Sequence, residues 1–147
     1  MTGERGSAET VGVEESNAEL YAAFESGDLD RMSALWDDAD DVACVHPGWP
    51  MLRGRSSVLR SWALIMANTT YIQFFLTDVS ATVLGDTAVV TCTENILTSV
   101  EPDASGDSRA VATNVFRRRD GRWRLVVHHG SPVLGTLSSD DADEDTG

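Results

Sequence analysis

A chain of 147 residues, 41% of them apolar, is long enough for one domain with a buried core. Its 24 acidic residues against 11 arginines, with no lysine, leave a net charge of −13, which disfavours nucleic acid as a partner because phosphate contacts need positive surface. No apolar run approaches a membrane span and the N-terminus lacks an apolar leader stretch, so the chain reads as cytoplasmic with no membrane partner.

Residues 1–13 and 135–147 are polar and acidic, too poor in apolar side chains to fold, so they are expected as disordered ends around a single domain at 14–134. In SNAELYAAFES (16–26), Ser16 and Glu19 form a capping-box pattern, Leu20, Ala23 and Phe24 keep helical spacing, and Gly27 supplies a stop. In DLDRMSALWDD, Leu29, Met32, Leu35 and Trp36 make the apolar stripe of a second helix. A short strand at 42–46 runs into a Pro-Gly-Trp-Pro corner. A third helix over about 55–68 carries Val58, Leu59, Trp62, Ile65 and Met66 on one face.

Beyond residue 70 the period changes. Segments 71–84 and 87–100 are rich in β-branched and aromatic residues and meet at Gly85-Asp86. Segments 109–119 and 122–130 meet at Asp120-Gly121, a two-residue hairpin signal, and EPDASGDS (101–108) reads as the loop between hairpins. Helix, helix, strand, helix and four long strands describe an α+β domain with helices on one face of a sheet. Cys44 and Cys92 lie in apolar strands without metal-type spacing and read as reduced, buried residues.

Regular pairing from the turns assigns the faces. Around Asp120-Gly121, residue 116 pairs with 125 and 114 with 127, which puts Asn114, Phe116, Trp123, Leu125, Val127 and His129 inward and His128 outward. Around Gly85-Asp86, residue 79 pairs with 92 and 77 with 94, so Phe75, Val79, Ala81, Val83, Ala88, Val90, Cys92 and Ile96 share a face with Glu94. A carboxylate on an apolar face needs a partner or a task. A single β-bulge would invert either assignment beyond it.

Three stretches, GDLDRMSALW (27–36), VHPGWPMLRGR (45–55) and NVFRRRDGRWRLVVHHGSP (114–132), carry a resemblance to the SnoaL-like and ketosteroid-isomerase-like branch of the NTF2-like superfamily. The resemblance covers about residues 14–134. It implies a cone of three N-terminal helices packed on a strongly curved, mixed but mainly antiparallel sheet. Aligned at GDLD, the isomerase's general-base aspartate falls on His46 and its protonated oxyanion-hole aspartate on Asn114. Its oxyanion-hole tyrosine falls on Leu20, with Tyr21 one residue along and turned elsewhere.

His46 then reads as a general base, or as a strand-end histidine that fixes the corner through a loop carbonyl. Asn114 reads as a donor to a ligand oxygen or as an amide tying strands together. His129 is a second acid–base candidate or a structural hydrogen-bonding group. Glu94 would polarise one of the histidines, or pair with Arg53 or Arg109. Trp49, Trp62, Phe24, Tyr21 and Trp123 are the expected contacts for a small apolar ligand. His46, Glu94 and His129 could form a 2-His-1-carboxylate set, but no ligand pair has the short spacing of metal motifs, and no phosphate loop, dinucleotide fingerprint or nucleophile elbow occurs. No metal and no cofactor are therefore expected. Two functions follow: a cofactor-free isomerase or cyclase moving a proton on a small apolar carbonyl compound, or a non-catalytic homodimer, paired through its sheet, that binds a ligand or merely associates.

Overall fold

The structure, a computed structural model, describes residues 2–101 and 104–134. The expected acidic tail, 135–147, lies outside the described residues. The elements are α1 (Thr2–Ser26), α2 (Leu29–Leu35), β1 (Ala43–Val45), β2 (Leu52–Arg53), α3 (Arg55–Ala67), β3 (Ile72–Leu84), β4 (Thr87–Glu101), β5 (Ala104–Arg119) and β6 (Arg122–Val133). They form a six-stranded curved sheet in the order β2-β1-β6-β5-β4-β3, in which only β1 and β6 run parallel. The α+β cone is therefore the observed architecture.

The helices cover the inner face. Leu20 and Ala23 of α1, Met32 of α2 and Val58 and Trp62 of α3 pack with Ala88, Val90, Phe116 and Leu125 into one buried cluster. Gly27 ends α1, where Gly27 N–H donates to Phe24 O and Asp28 N–H to Ala23 O, the paired bonds of a Schellman stop. Asp28 then caps α2, its Oδ1 accepting from Arg31 N–H at 3.1 Å. Asp120 and Gly121 both have positive φ, which matches the strand twist of the β5–β6 hairpin. No helix among the described residues is long and apolar enough to cross a membrane.

Four expectations need correction. The first helix does not begin at a Ser16 cap: residues 2–13, expected without structure, are its opening turns, and Val13 is fully buried. The 101–108 loop is largely strand, because β4 runs to Glu101 and β5 starts at Ala104.

The other two are face inversions caused by bulges. In β3 the register steps from Thr77–Thr93 to Ser80–Thr91, with Asp78 at φ 53°. Beyond that bulge Phe74 and Leu76 pair with Ile96 and Glu94 and face inward, while Phe75 and Val79 are exposed. In β6 the register steps from Phe116–Leu125 to Val115–Val127, leaving Val126 as the extra residue. Asn114 therefore pairs with His128, not Val127, and His128 turns inward while His129 turns to the exposed outer face. Strands β4 and β5 pair without a shift from Thr87 to Ser99, so Glu94, Cys92, Asn114 and Phe116 lie inward as expected.

Candidate functional site

Residues of α1, α3, β3, β4 and β6, with the corner that follows β1, line a cavity of about 80 Å³. Its wall is mostly apolar: Leu20, Phe24, Trp62, Ile72, Phe74 and Ile96, with Pro47 at the corner. The rings interlock, Phe24 edge-on to Trp62 at 5.2 Å and Tyr21 tilted against Phe74 at 5.0 Å between centroids. Four polar side chains break this wall: Tyr21, His46, Glu94 and His128. All four are buried.

One hydrogen-bonded chain organises three of them. Asn114 Nδ2 donates to Asn17 Oδ1 at 2.8 Å and to Tyr21 Oη at 3.2 Å, and Tyr21 Oη donates to Glu94 Oε2 at 2.6 Å. With both amide protons used, Asn114 offers His128 Nδ1 only its oxygen, 2.6 Å away, so Nδ1 carries the proton of that imidazole. His128 Nε2 is left with a lone pair.

The second histidine is fixed independently. Ser61 Oγ donates to Val58 O at 2.7 Å and therefore accepts from His46 Nε2–H at 2.9 Å, which leaves the lone pair on His46 Nδ1. Trp62 packs edge-on against the His46 ring at 4.7 Å, Trp49 does so at 5.0 Å, and the two imidazoles lie 6.2 Å apart.

Burial sets the protonation states. It pulls His46 down to about 4 and, with the neighbouring histidines adding to it, His128 down to about 3, so both rings are neutral at physiological pH. Burial pushes the Glu94 carboxyl up, against the opposing pull of the Tyr21 hydrogen bond. Burial and the Glu94 charge raise Tyr21, so its hydroxyl stays a donor. Cys44, 3.6 Å from His46 Nε2, is driven up to about 12 by burial and remains a thiol. The arrangement can accept a proton at an imidazole and places a carboxyl of raised proton affinity in the same apolar cavity.

Several expected site residues lie elsewhere. His129 faces away from the cavity, so His46, Glu94 and His129 do not converge on one point. Asn114 sits behind the wall with its amide protons committed, so it orients His128 and Tyr21 and does not point at a ligand. Among the described residues Glu94 bonds Tyr21, and not a histidine or an arginine. Trp123 stands in another cleft, beneath Arg118 at 5.0 Å. Trp49 is exposed on the corner and touches His46 from outside the cavity. Tyr21, expected to turn elsewhere, carries its hydroxyl into the polar chain.

His128, Asn17 and Ser61 were missed. Asn17 interrupts the Val13–Leu20–Phe24 stripe of α1 at helical spacing, and Ser61 follows Val58 on the buried face of α3. A polar residue in an apolar stripe was the available signal for both. His128 was hidden by the Val126 bulge.

The SnoaL-like domain family matches residues 13–135. A candidate dehydratase of the NTF2-like family from Streptomyces avermitilis is 50% identical in sequence, with 88% of this chain and 99% of that chain superposed at a TM-score of 0.83. A candidate calcium/calmodulin-dependent protein kinase type II association domain from Thiobacillus denitrificans is 31% identical, over 82% of this chain and 94% of that one, at a TM-score of 0.74. The F-box protein SKIP8 of Arabidopsis thaliana is 29% identical over 127 residues, which are 86% of this chain and 52% of that protein. The chain thus spans about half the length of that curated relative.

Proposed function

Because the chain belongs to the SnoaL-like domain family and has the NTF2-like fold, we propose that the inner cavity is an acid–base site acting on a small, uncharged carbonyl compound, by isomerisation or by loss of water. The observation that carries this reading is the convergence of two neutral imidazoles, each with an anchored N–H and a lone pair on its other nitrogen, with a carboxyl of raised proton affinity. His128 Nε2 removes the proton alpha to the carbonyl, since its Nδ1–H is held by Asn114 and its tautomer cannot drift. Glu94 delivers a proton, either to a leaving hydroxyl, giving water and an enone, or to the remote carbon of a dienolate, giving the shifted alkene. Tyr21 holds that carboxyl in place. His46 is the second candidate base. The chemistry as written needs no electron carrier, and the 50% identical candidate dehydratase favours the elimination branch.

The walls support an uncharged substrate. No arginine lines the cavity and both imidazoles are neutral, so nothing there would compensate a buried carboxylate. The test is to incubate the protein in deuterium oxide with a small β-hydroxy ketone and follow deuterium entry and enone formation by NMR. Glu94→Gln and His128→Asn should each slow the reaction by about 10²–10⁴-fold, the usual worth of general acid–base catalysis. Turnover that survives both changes would remove the reading.

A second reading, a non-catalytic homodimeric association module, is favoured by the 31% identical candidate association domain and by an outer sheet face made of threonines and valines, with Val111 exposed. A sedimentation mass equal to the monomer would count against it.

A further inference from the structure

Five arginines bracket the β5–β6 turn, and three of them are already engaged. Arg117 and Arg119 bind the buried Asp37, Arg117 also reaches Asp41, and Arg118 pairs with Asp86 and Glu9. Arg122 and Arg124 have no carboxylate partner among the described residues, although the chain has 24 acids for 11 arginines. Both line one cleft of about 440 Å³ between α1, α2 and β6. Small-molecule sites commonly run from about 300 to 1,000 Å³.

Among the described residues Arg124 Nε is buried without a hydrogen-bond partner, and its Nη1 reaches Ala34 O at 3.5 Å. An unpartnered guanidinium N–H carries a desolvation cost, which leaves the hydrogen-bonding capacity of Arg124 largely unused by the fold. Trp123, between the two arginines in sequence, forms one wall, and Arg118 covers one side of its ring. Gly12 faces Cδ1 and Nε1 of that indole, where a Cβ would make ordinary contacts at 3.7 Å. Ala34 and Leu35 supply apolar surface. Glu19 is held by Arg31 through two bonds of 2.7 and 2.9 Å, and Glu15 is the one other acid lining the cleft among the described residues.

We infer that this cleft binds a small planar aromatic acid, with its carboxylate on Arg122 and Arg124 and its ring against Trp123. A guanidinium fork matches a carboxylate bidentately, and an indole favours a flat partner. The cleft shares no lining residue with the inner cavity, so this second site stands apart from the proposed chemistry there.

The test records the indole N–H signals of the full chain by NMR during titration with benzoate, acetate or benzyl alcohol, with Trp123→Phe identifying its signal. Benzoate should move the Trp123 signal saturably and leave the Trp62 signal in place. Acetate, which lacks the ring, and benzyl alcohol, which lacks the charge, should each bind more weakly by about tenfold or more. Arg124→Gln and Arg122→Gln should each weaken benzoate by a similar factor, and the exposed Arg122 carries the comparison if the Arg124 variant does not fold. Benzyl alcohol binding as well as benzoate, arginine variants binding like wild type, a shift that does not saturate, or movement of the Trp62 signal instead would each overturn the inference.

Discussion

Tyr21 on α1 and Glu94 on β4, 73 positions apart in the chain, are joined by a 2.6 Å hydrogen bond inside an apolar wall. Burial pushes the carboxyl's proton affinity up while the Tyr21 hydroxyl pulls it down. Replacing Tyr21 with Phe removes only the downward pull, so the Glu94 titration midpoint should rise. It also leaves one Asn114 N–H without its acceptor. The expected outcome is a higher midpoint in the carboxyl carbon signal of Glu94, with a stability loss of about 1–3 kcal/mol for the broken buried network. A midpoint that stays or falls would show that the hydroxyl does not stabilise the carboxylate.

The histidines and Glu94 should act on stability in opposite directions as pH changes. His46 and His128 are held at about 4 and about 3, below their ordinary 6.5, so the unfolded chain takes up protons that the folded chain refuses. Their contribution is intact above about pH 6.5 and drains away as pH falls toward 4 and then 3. Glu94 is raised, so the folded chain keeps a proton that the unfolded chain releases. Its contribution is present below the ordinary carboxyl range and lost as pH rises through the raised value. Glu94→Gln deletes that opposing contribution alone. Stability measured by urea unfolding should then fall more steeply between pH 6.5 and 4.5 in the variant than in wild type, by up to about 1.4 kcal/mol per pH unit, the worth of one proton. Parallel curves would mean that Glu94 does not hold its proton in that window.

Two glycines should respond to alanine with opposite signs. A Cβ on Gly130 would meet Pro47 Cγ at 3.0 Å and Cδ at 3.1 Å, one residue from His46, so β6 and the corner must part. Gly130→Ala should cost about 1–3 kcal/mol, as overpacking does, and should shift the His46 ring signals. A Cβ on Gly12 would meet Trp123 at 3.7 Å, an ordinary contact inside α1. Gly12→Ala should therefore stabilise the protein by about 0.5–1 kcal/mol through the helix. Thermal unfolding of the pair checks both, and matching signs would refute the packing account.

The period of the apolar residues made the order of elements legible, and Glu94 and Asn114 could be placed inward because β4 and β5 pair without interruption between them. The site was legible up to the bulges and no further. Val126 adds one residue to β6, and that single step exchanges His128 for His129 at the cavity. Asp78 does the same to Phe74 and Phe75 in β3, at a positive φ that nothing in the local pattern demands. Bulges answer to the curvature of the whole sheet, which a window of alternating residues does not contain. Tyr21 was misjudged for a related reason. On a helix, Leu20 and Tyr21 both border the buried stripe, and only the position of Glu94 across the cavity decides which of them meets a polar partner.

Asp37 tests whether the arginine hairpin is held by charge. Its carboxyl is fully buried, with Arg119 at 3.0 Å from each oxygen and Arg117 at 3.2 Å from one. Burial alone would raise that carboxyl, but the Arg119 hydrogen bonds and the charges of Arg119 and Arg117 outweigh it and hold the group below its ordinary 3.8. A depressed carboxyl contributes stability that is present above the unfolded value and lost as pH falls through the folded one. Asp37→Asn keeps the shape and removes the charge, so it should lower the urea midpoint at pH 7. Because both arginines are partly exposed, solvent screening keeps the loss well below that of a fully buried pair. Wild type and variant should converge as pH falls from 3.8 through the depressed folded value, where the wild-type carboxyl also loses its charge. A gap that persists unchanged at pH 2.5 would mean that packing, not charge, fastens the hairpin to the α2 end.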